Sequence, residues 1–114
     1  MNRDEFTAAY LDFAKLAIRL AQKARKEGIS SLEENIDSEK VKELDIFHYG
    51  LRLVIDGTEP EIIVKMLLDI ISQQKNIKEY SYILKLIQMD AVLAIMSGYH
   101  PSYIYYKLNS FTDL

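Results

Sequence analysis

Apolar residues recur at every third or fourth position along almost the whole chain, and this spacing limits the possible folds more than any other feature. In the first segment the recurring apolar residues are Phe6, Tyr10, Phe13, Ala17, Leu20 and Ala24. A repeat of about 3.6 residues is typical of an amphipathic helix with one face on a core. The sequence therefore predicts an all-α fold, a compact bundle of five to six helices with short Gly/Pro turns.

Glycine and proline mark the expected ends and starts of these helices. The predicted helices cover about residues 4–27, 31–35, 39–56, 59–74, 79–97 and a short last segment from residue 101. Gly57 and Gly98 each stand three residues before a proline, in IDGTEPEII and MSGYHPSYI. A left-handed glycine can end one helix, and a proline suits the first turn of the next. We therefore expect a left-handed glycine at both corners.

Polar residues at the expected helix starts give further predictions. Ser30 and Glu33 fit the S-x-x-E capping box, in which two side chains satisfy exposed amides. Ser38 is expected to cap the third helix, and Thr58 is expected to cap the fourth. Gly28 is expected to end the first helix in the left-handed conformation.

The apolar pattern also predicts which residues form the core. We expect the apolar segment 89–96 to be deeply buried, and the fourth helix, which has only a narrow polar stripe, to lie between other helices. The residues expected to be buried are Leu51, Val54, Ile63, Leu67, Leu84, Leu93 and Ile95.

Length, cysteine content and charge exclude several classes of protein. The chain has 114 residues, no cysteine and a formal net charge of −3. This length suits a single domain, residues 1–114, and the lack of cysteine excludes disulfides and thiol catalysis. A nucleic-acid binder would normally carry a basic face, so none is expected as a partner. No apolar run approaches a membrane span, so we expect a soluble, cytoplasmic protein without direct membrane insertion.

The sequence offers little for catalysis. It contains no phosphate-binding loop, dinucleotide fingerprint or nucleophile motif. Asp45 and His48 lie one helical turn apart, which could orient an imidazole or supply two metal ligands, although such pairs are usually ordinary surface contacts. His100 precedes a proline and is expected to help start the last helix. We expect no enzyme activity, no catalytic residue, no cofactor and no metal.

Tyrosines crowd the C-terminal part of the chain. Tyr99, Tyr103, Tyr105 and Tyr106 all fall on or beside the short last helix. Some of them can fill the core, but one short helix cannot turn all four inward. Because tyrosine is enriched at protein interfaces, we expect Tyr103, Tyr105 and Tyr106 to contact a partner. Together with the apolar end of the fifth helix, they predict self-association or a stable partner.

The stretch KARKEGISSLEENI changes from basic to acidic across one glycine. Arg25 and Lys26 precede Gly28, and Glu33 and Glu34 follow it. Basic residues at a helix end and acidic residues at the next helix start both suit the helix dipole, which is a sufficient local explanation. The same charges could instead present a docking surface that sets orientation and association rate.

The order of these motifs resembles the cytoplasmic parts of MotA-type stator proteins of the bacterial flagellar motor. ARKEGISSLEENID and GLRLVIDGTEPEIIVKMLLDII resemble that family's loop, with its A-R-x-x-G-x-x-x-L-E core and following V-x-D-G-x-x-P-E segment. AVLAIMSGYHPSYIYYKLNSF resembles its tail. The domain would thus join a loop-like part, about residues 11–75, to a tail-like part, about residues 83–111.

The resemblance implies a role in motility without ion conduction, because the family's membrane helices have no counterpart. It implies a non-enzymatic adaptor or scaffold at the inner face of the membrane, whose partner is a FliG-like rotor protein or another stator or scaffold protein. Arg25 and Glu33 match the family's rotor-facing charged residues. The chain is expected to be a natural stand-alone relative rather than a stator protein shortened by removal of its membrane helices. The alternative is an unrelated soluble helical scaffold or regulatory protein.

Overall fold

The computed structural model describes residues 1–74 and 77–110, and in these two ranges it contains seven helices and no strand. They are α1 (Arg3–Glu27), the 3-10 helix η1 (Ile29–Asn35), α2 (Ser38–Lys42), α3 (Ile46–Ile55), α4 (Pro60–Ser72), α5 (Glu79–Met96) and α6 (Pro101–Asn109). The all-α prediction is confirmed. The helix count is higher than the five to six expected, because one predicted helix is divided. Residues 75–76, between the predicted fourth and fifth helices, and the end of the predicted tail lie outside the described residues.

The predicted helix 39–56 is two helices. Leu44 adopts a φ of 59°, which turns the chain out of α2, and the Asp45 amide donates to the Lys40 carbonyl at 3.0 Å. The Asp45 carboxylate then accepts a hydrogen bond of 3.0 Å from the backbone amide of His48 and so starts α3. An aspartate that caps a new helix competes with continuation of the old one. This competition explains the break that periodicity alone does not reveal.

Both predicted glycine corners are confirmed. Gly57 and Gly98 have φ values of 80° and 72°, in the left-handed region that favours glycine. The residue after each glycine donates its backbone amide to the carbonyl five residues earlier. The distances are 3.0 Å for Thr58 and 3.2 Å for Tyr99. This pattern is the Schellman motif. The proline three residues after each glycine begins α4 or α6, as expected.

The predicted capping box at η1 is wrong. No side chain caps η1, and the Ser30 and Glu33 pattern is not used. The Ser31 hydroxyl instead donates to the carbonyl of Gly28 at 2.6 Å, and the Glu33 carboxylate binds Arg52 of α3. Gly28 has a positive φ of 91°, but its ψ of 158° is extended, so it is not the left-handed helical cap that was expected.

Two other predicted caps are also wrong. Asp37, rather than Ser38, caps α2, because its carboxylate accepts from the amides of the first turn. Glu59, rather than Thr58, holds the cap position of α4, and no side chain bonds there. Pro60 at the first helical position has no amide hydrogen, which leaves one fewer donor to satisfy.

The core lies among α1, α3 and α5, and α5 also contacts α4 and α6. Leu51, Val54, Ile63, Leu67 and Ile95 are buried as predicted. Leu84 and Leu93 are only partly buried. Leu93 lies on the side of α5 opposite its buried residues, and Leu84 lies in the N-terminal part of the helix, where no residue before Ile87 is buried. The predicted burial of segment 89–96 therefore holds for its core-facing residues alone, and Met89, Leu93 and Met96 are only partly buried.

The predicted position of α4 between other helices is wrong. Within the described residues α4 packs mainly on α3 and α5, and it leaves Ile62 and Leu68 exposed. Its buried residues, Ile63, Leu67 and Ile71, occupy one stripe. The polar residues of α4 face solvent, and the exposed Ile62 and Leu68 lie beside them.

Gly50 brings α3 close to α5. A Cβ atom built on Gly50 would lie 2.7 Å from Cγ2 of Val92, which is closer than real Cβ contacts. The absence of a side chain therefore sets the distance between the two helices. This contact also holds α3 in the position from which Arg52 reaches η1.

Candidate protein-interaction site

The basic residues of the predicted site lie at the C-terminal end of α1. Arg25 and Lys26 are both exposed. Nη1 of Arg25 donates to the carbonyl of Gly98 at 3.1 Å, so the end of α1 sits against the α5–α6 corner. Among the described residues no carboxylate lies within ion-pairing distance of Arg25 or Lys26. Both positive charges are therefore available to a partner.

Two open clefts meet at Arg25. One, of about 310 Å³, is lined by Gln22, Arg25, Lys26, His100 and Pro101. The other, of about 270 Å³, is lined by Ala21, Ala24, Arg25, Gly28, Ile29, Ile95, Gly98 and Tyr99. The first cleft carries the cationic side chains of Arg25 and Lys26, and the second is lined mainly by apolar groups. The end of α1 thus combines positive charge with apolar surface, and no local sequence pattern indicates that it meets the α5–α6 corner.

Glu33 is held by the chain itself. Its two carboxylate oxygens accept hydrogen bonds of 2.8 and 2.5 Å from the terminal nitrogens of Arg52, which also lies 3.3 Å from Asp56. The bond to Arg52 lowers the pKa of Glu33, and the same bond raises the pKa of Arg52. Glu33 keeps more than half of its side chain exposed, so its charge is fixed in position and still faces solvent.

Glu34 is held in the same way from the other side. Nζ of Lys23 donates to its carboxylate and, at 2.9 Å, to Oδ1 of Asn35. The bond from Lys23 lowers the pKa of Glu34. Lys23 of α1 and Arg52 of α3 therefore clamp η1 between two helices. Neither residue was predicted as part of the site, because their partners are distant in sequence and carry no local signal.

The predicted tyrosines of α6 are exposed. Tyr103, Tyr105 and Tyr106 have exposed fractions of 46%, 51% and 72%. The ring of Tyr103 lies 4.6 Å from the ring of Tyr99, which lines the apolar cleft beside Arg25. Arg25 and Lys26, the basic corner, are therefore continuous with Tyr103 through Tyr99. Glu33 and Glu34 lie on η1, where Arg52 of α3 holds Glu33 and Lys23 of α1 holds Glu34.

The two histidines have structural roles. His48 is buried, and its Nδ1 accepts a hydrogen bond of 3.1 Å from the amide of Asp37. Burial lowers the pKa of His48, while the Asp45 charge opposes that change. The Asp45 carboxylate accepts from the backbone amide of His48 and caps α3, and the imidazole itself bonds to the amide of Asp37. Nδ1 of His100 accepts from the amide of Ser102 at 3.1 Å and helps to start α6.

In residues 1–74 and 77–110, no group of three or more His, Asp or Glu side chains could hold a metal ion. None of the helices there is long and apolar enough to cross a membrane.

Comparison with known proteins gives one informative similarity. Over 59 residues the chain is 41% identical to motility protein A of Borreliella burgdorferi. The matched part covers 52% of this chain and 22% of that protein, so the chain spans about a fifth of its relative's length. No protein-family model matches the chain, and no solved structure matches it. These findings support a relationship to MotA-type proteins over about half of the chain.

Proposed function

We propose that this chain is a non-enzymatic protein-interaction module of the bacterial flagellar motor, acting in the cytoplasm at the inner face of the membrane. The observation that carries the proposal is the 41% identity with a motility protein over half of the chain. The module acts as an adaptor or scaffold, and its partner is a FliG-like rotor protein or another stator or scaffold protein.

The basic corner supplies the first contact with the partner. Arg25 and Lys26 are exposed and lack an ion pair among the described residues, so a partner carboxylate would not have to displace an internal one. Unpaired surface charges raise association rates and select partners by complementarity. We therefore assign these two residues to the recognition of acidic groups on the partner.

Glu33 and Glu34 supply charges of the opposite sign at fixed positions. Their bonds to Arg52 and Lys23 restrict the side chains, while both carboxylates remain more than half exposed. A charge held by its own chain loses less conformational freedom on binding than a free one. These glutamates orient the partner, and their net attraction is weaker than that of the basic corner because each is partly neutralised.

The tyrosines of α6 supply apolar contact area beside the charges. Tyr103, Tyr105 and Tyr106 are all more than two-fifths exposed, and no hydrogen bond engages their hydroxyls among the described residues. Tyrosine offers a large rigid surface with a polar tip, which suits an interface. The cleft beside Tyr99 would accept an apolar side chain of the partner.

A pull-down from an extract of flagellated cells tests this function. Wild-type protein as bait should recover a rotor or stator protein, and Arg25→Glu should recover much less of it. Lys65→Glu is the matched control, because Lys65 on α4 is exposed and has no ion pair among the described residues, and α4 is separate from the basic corner. Recovery of no motor protein would favour the alternative, an unrelated helical scaffold or regulator.

A further inference from the structure

An apolar stripe runs along the outward side of α5. Its members follow spacings of four, three, four and three residues, and they are Tyr82, Leu86, Met89, Leu93 and Met96. Tyr82 is exposed, and the other four are only partly buried although they contact the core. This alternation of four and three residues is the heptad pattern by which two helices pack along a shared seam. Among the described residues, none of these five side chains is fully buried.

Charged residues of opposite sign border the stripe. At 100° per residue, Lys85 falls on one edge and Asp90 on the other. In heptad terms Lys85 precedes the seam residue Leu86, and Asp90 follows the seam residue Met89. Neither side chain makes an ion pair with any residue that the structure describes.

The spacing of this pair fits a second copy of the same helix. In a parallel pair of heptad helices, the residue before one seam position meets the residue five places further on in the partner. Asp90 lies five residues after Lys85. A two-fold axis parallel to α5 would therefore form the Lys85–Asp90 contact twice, once in each direction. In an antiparallel pair, edges of the same kind meet, and Lys85 would not reach Asp90.

We propose that the chain forms a parallel, two-fold symmetric homodimer through the apolar stripe of α5, with Lys85 of each copy paired to Asp90 of the other. This inference does not depend on the proposed function, because α5 and the basic corner use different surfaces. The partner's helix covers the exposed part of Tyr82 and completes the burial of the leucines and methionines.

The surroundings of Asp90 support the assignment. Burial raises the pKa of Asp90, and the charge of Lys107 on α6 only partly opposes this effect. A carboxylate that is partly removed from water without an ion pair is unfavourable. The partner's lysine would stabilise it in the dimer. This explains why a charged residue stands at the edge of an apolar stripe.

Charge reversal with rescue tests the pairing. Sedimentation equilibrium should give a dimer mass for the wild type, while Lys85→Glu and Asp90→Lys should each raise the dissociation constant at least tenfold. The double variant should restore most of the affinity, and Lys65→Glu on α4 should leave it unchanged. Circular dichroism of every variant confirms that the fold survives. A monomer at all concentrations, or single reversals that dimerise like the wild type, would overturn the proposal.

Cysteine cross-linking tests the orientation, since the natural chain has no cysteine. Tyr82→Cys and Leu93→Cys should each form a disulfide-linked dimer on its own, because equal positions meet in a parallel pair, whereas position 82 would face position 93 in an antiparallel one. Cross-linking only in a mixture of the two variants would indicate an antiparallel pair and overturn the proposed register.

Discussion

Arg52 of α3 holds Glu33 of η1 through two hydrogen bonds, of 2.8 and 2.5 Å, across 19 positions of sequence. This contact fixes the acidic half of the charged stretch relative to the core. The basic half remains open, because within the part of the chain that the structure describes the Arg25 side chain bonds to one backbone carbonyl and to no carboxylate. In the charged stretch, the acidic residues therefore stabilise the fold, and the basic residues remain on the surface.

Replacing Arg52 with glutamine should make the stability of the fold less dependent on pH in the acid range. The pKa of Glu33 is lowered below its ordinary 4.5 in the folded chain, so its pair with Arg52 contributes stability above about pH 4.5. That contribution is lost as pH falls through the folded-state pKa. Thermal melts should therefore separate wild type and Arg52→Gln at neutral pH and bring them together at strongly acid pH. A constant difference at all pH values would contradict the clamp.

The two glycine corners should not tolerate β-branched residues. Gly57→Val and Gly98→Val should each cost about 1–3 kcal/mol, because a left-handed backbone strains a branched side chain. No described residue has a heavy atom within 4 Å of a Cβ built at either position, so the cost comes from the backbone conformation. Gly57→Asn is the control, and it should cost less because asparagine tolerates this conformation. Chemical denaturation of the three variants measures the loss of unfolding free energy. Equal losses for Gly57→Val and Gly57→Asn would show that backbone strain is not the cause.

Gly50→Ala should also destabilise the fold, but through a steric clash rather than through backbone strain. Its added Cβ would meet Val92 at 2.7 Å, and such overpacking typically costs about 1–3 kcal/mol. Val92→Ala should reverse part of the loss by making room, so the two changes should not add. A double-mutant cycle from denaturation curves tests this, and full additivity would show that the helices simply move apart.

His48 should make the fold sensitive to mild acid. Its Nδ1 accepts the Asp37 amide hydrogen, so protonation would break that bond. Because burial lowers the pKa of His48 below its ordinary 6.5, stability is fully present above about pH 6.5 and is lost as pH falls through the folded-state pKa. His48→Asn can keep an acceptor without a titrating group. In this variant the melting temperature should change less between pH 7 and pH 5 than in the wild type. If it changes as much as in the wild type, the pH dependence comes from other residues.

The sequence predicted helices well where local signals and periodicity agreed. The ends of α1, α5 and the start of α6 lie within about a residue of the expected positions, since glycine and proline mark them. The break at Leu44 was missed, because leucine rarely adopts a positive φ and nothing in the local pattern indicates it. The capping box at Ser30 failed, because a distant arginine competed for Glu33.

The candidate site was predictable in part. The exposure of Arg25 follows from its place at a helix end, and the exposure of the α6 tyrosines follows from their number on a short helix. The clamp by Lys23 and Arg52, and the meeting of Arg25 with Gly98, depend on how the helices pack. These contacts join residues that are far apart in the sequence, so no local pattern indicates them.

We propose that the basic corner docks on acidic groups of its partner, and the Arg25→Glu substitution tests this docking. The helix-dipole loss is about 0.3–1 kcal/mol, so the fold should survive. Binding to a FliG-like rotor protein should weaken strongly, and a matching charge reversal on that protein should restore much of the affinity.

The most direct measurement is a calorimetric titration of the purified FliG-like protein with wild type, Arg25→Glu and the control Lys65→Glu, at low and physiological salt. We expect tight binding for wild type and control, which salt weakens because exposed charges are screened over about 8–10 Å. We expect a large loss for Arg25→Glu at both salt concentrations. Equal affinities for all three proteins at both salt concentrations would contradict the account and leave Arg25 a helix-end residue alone.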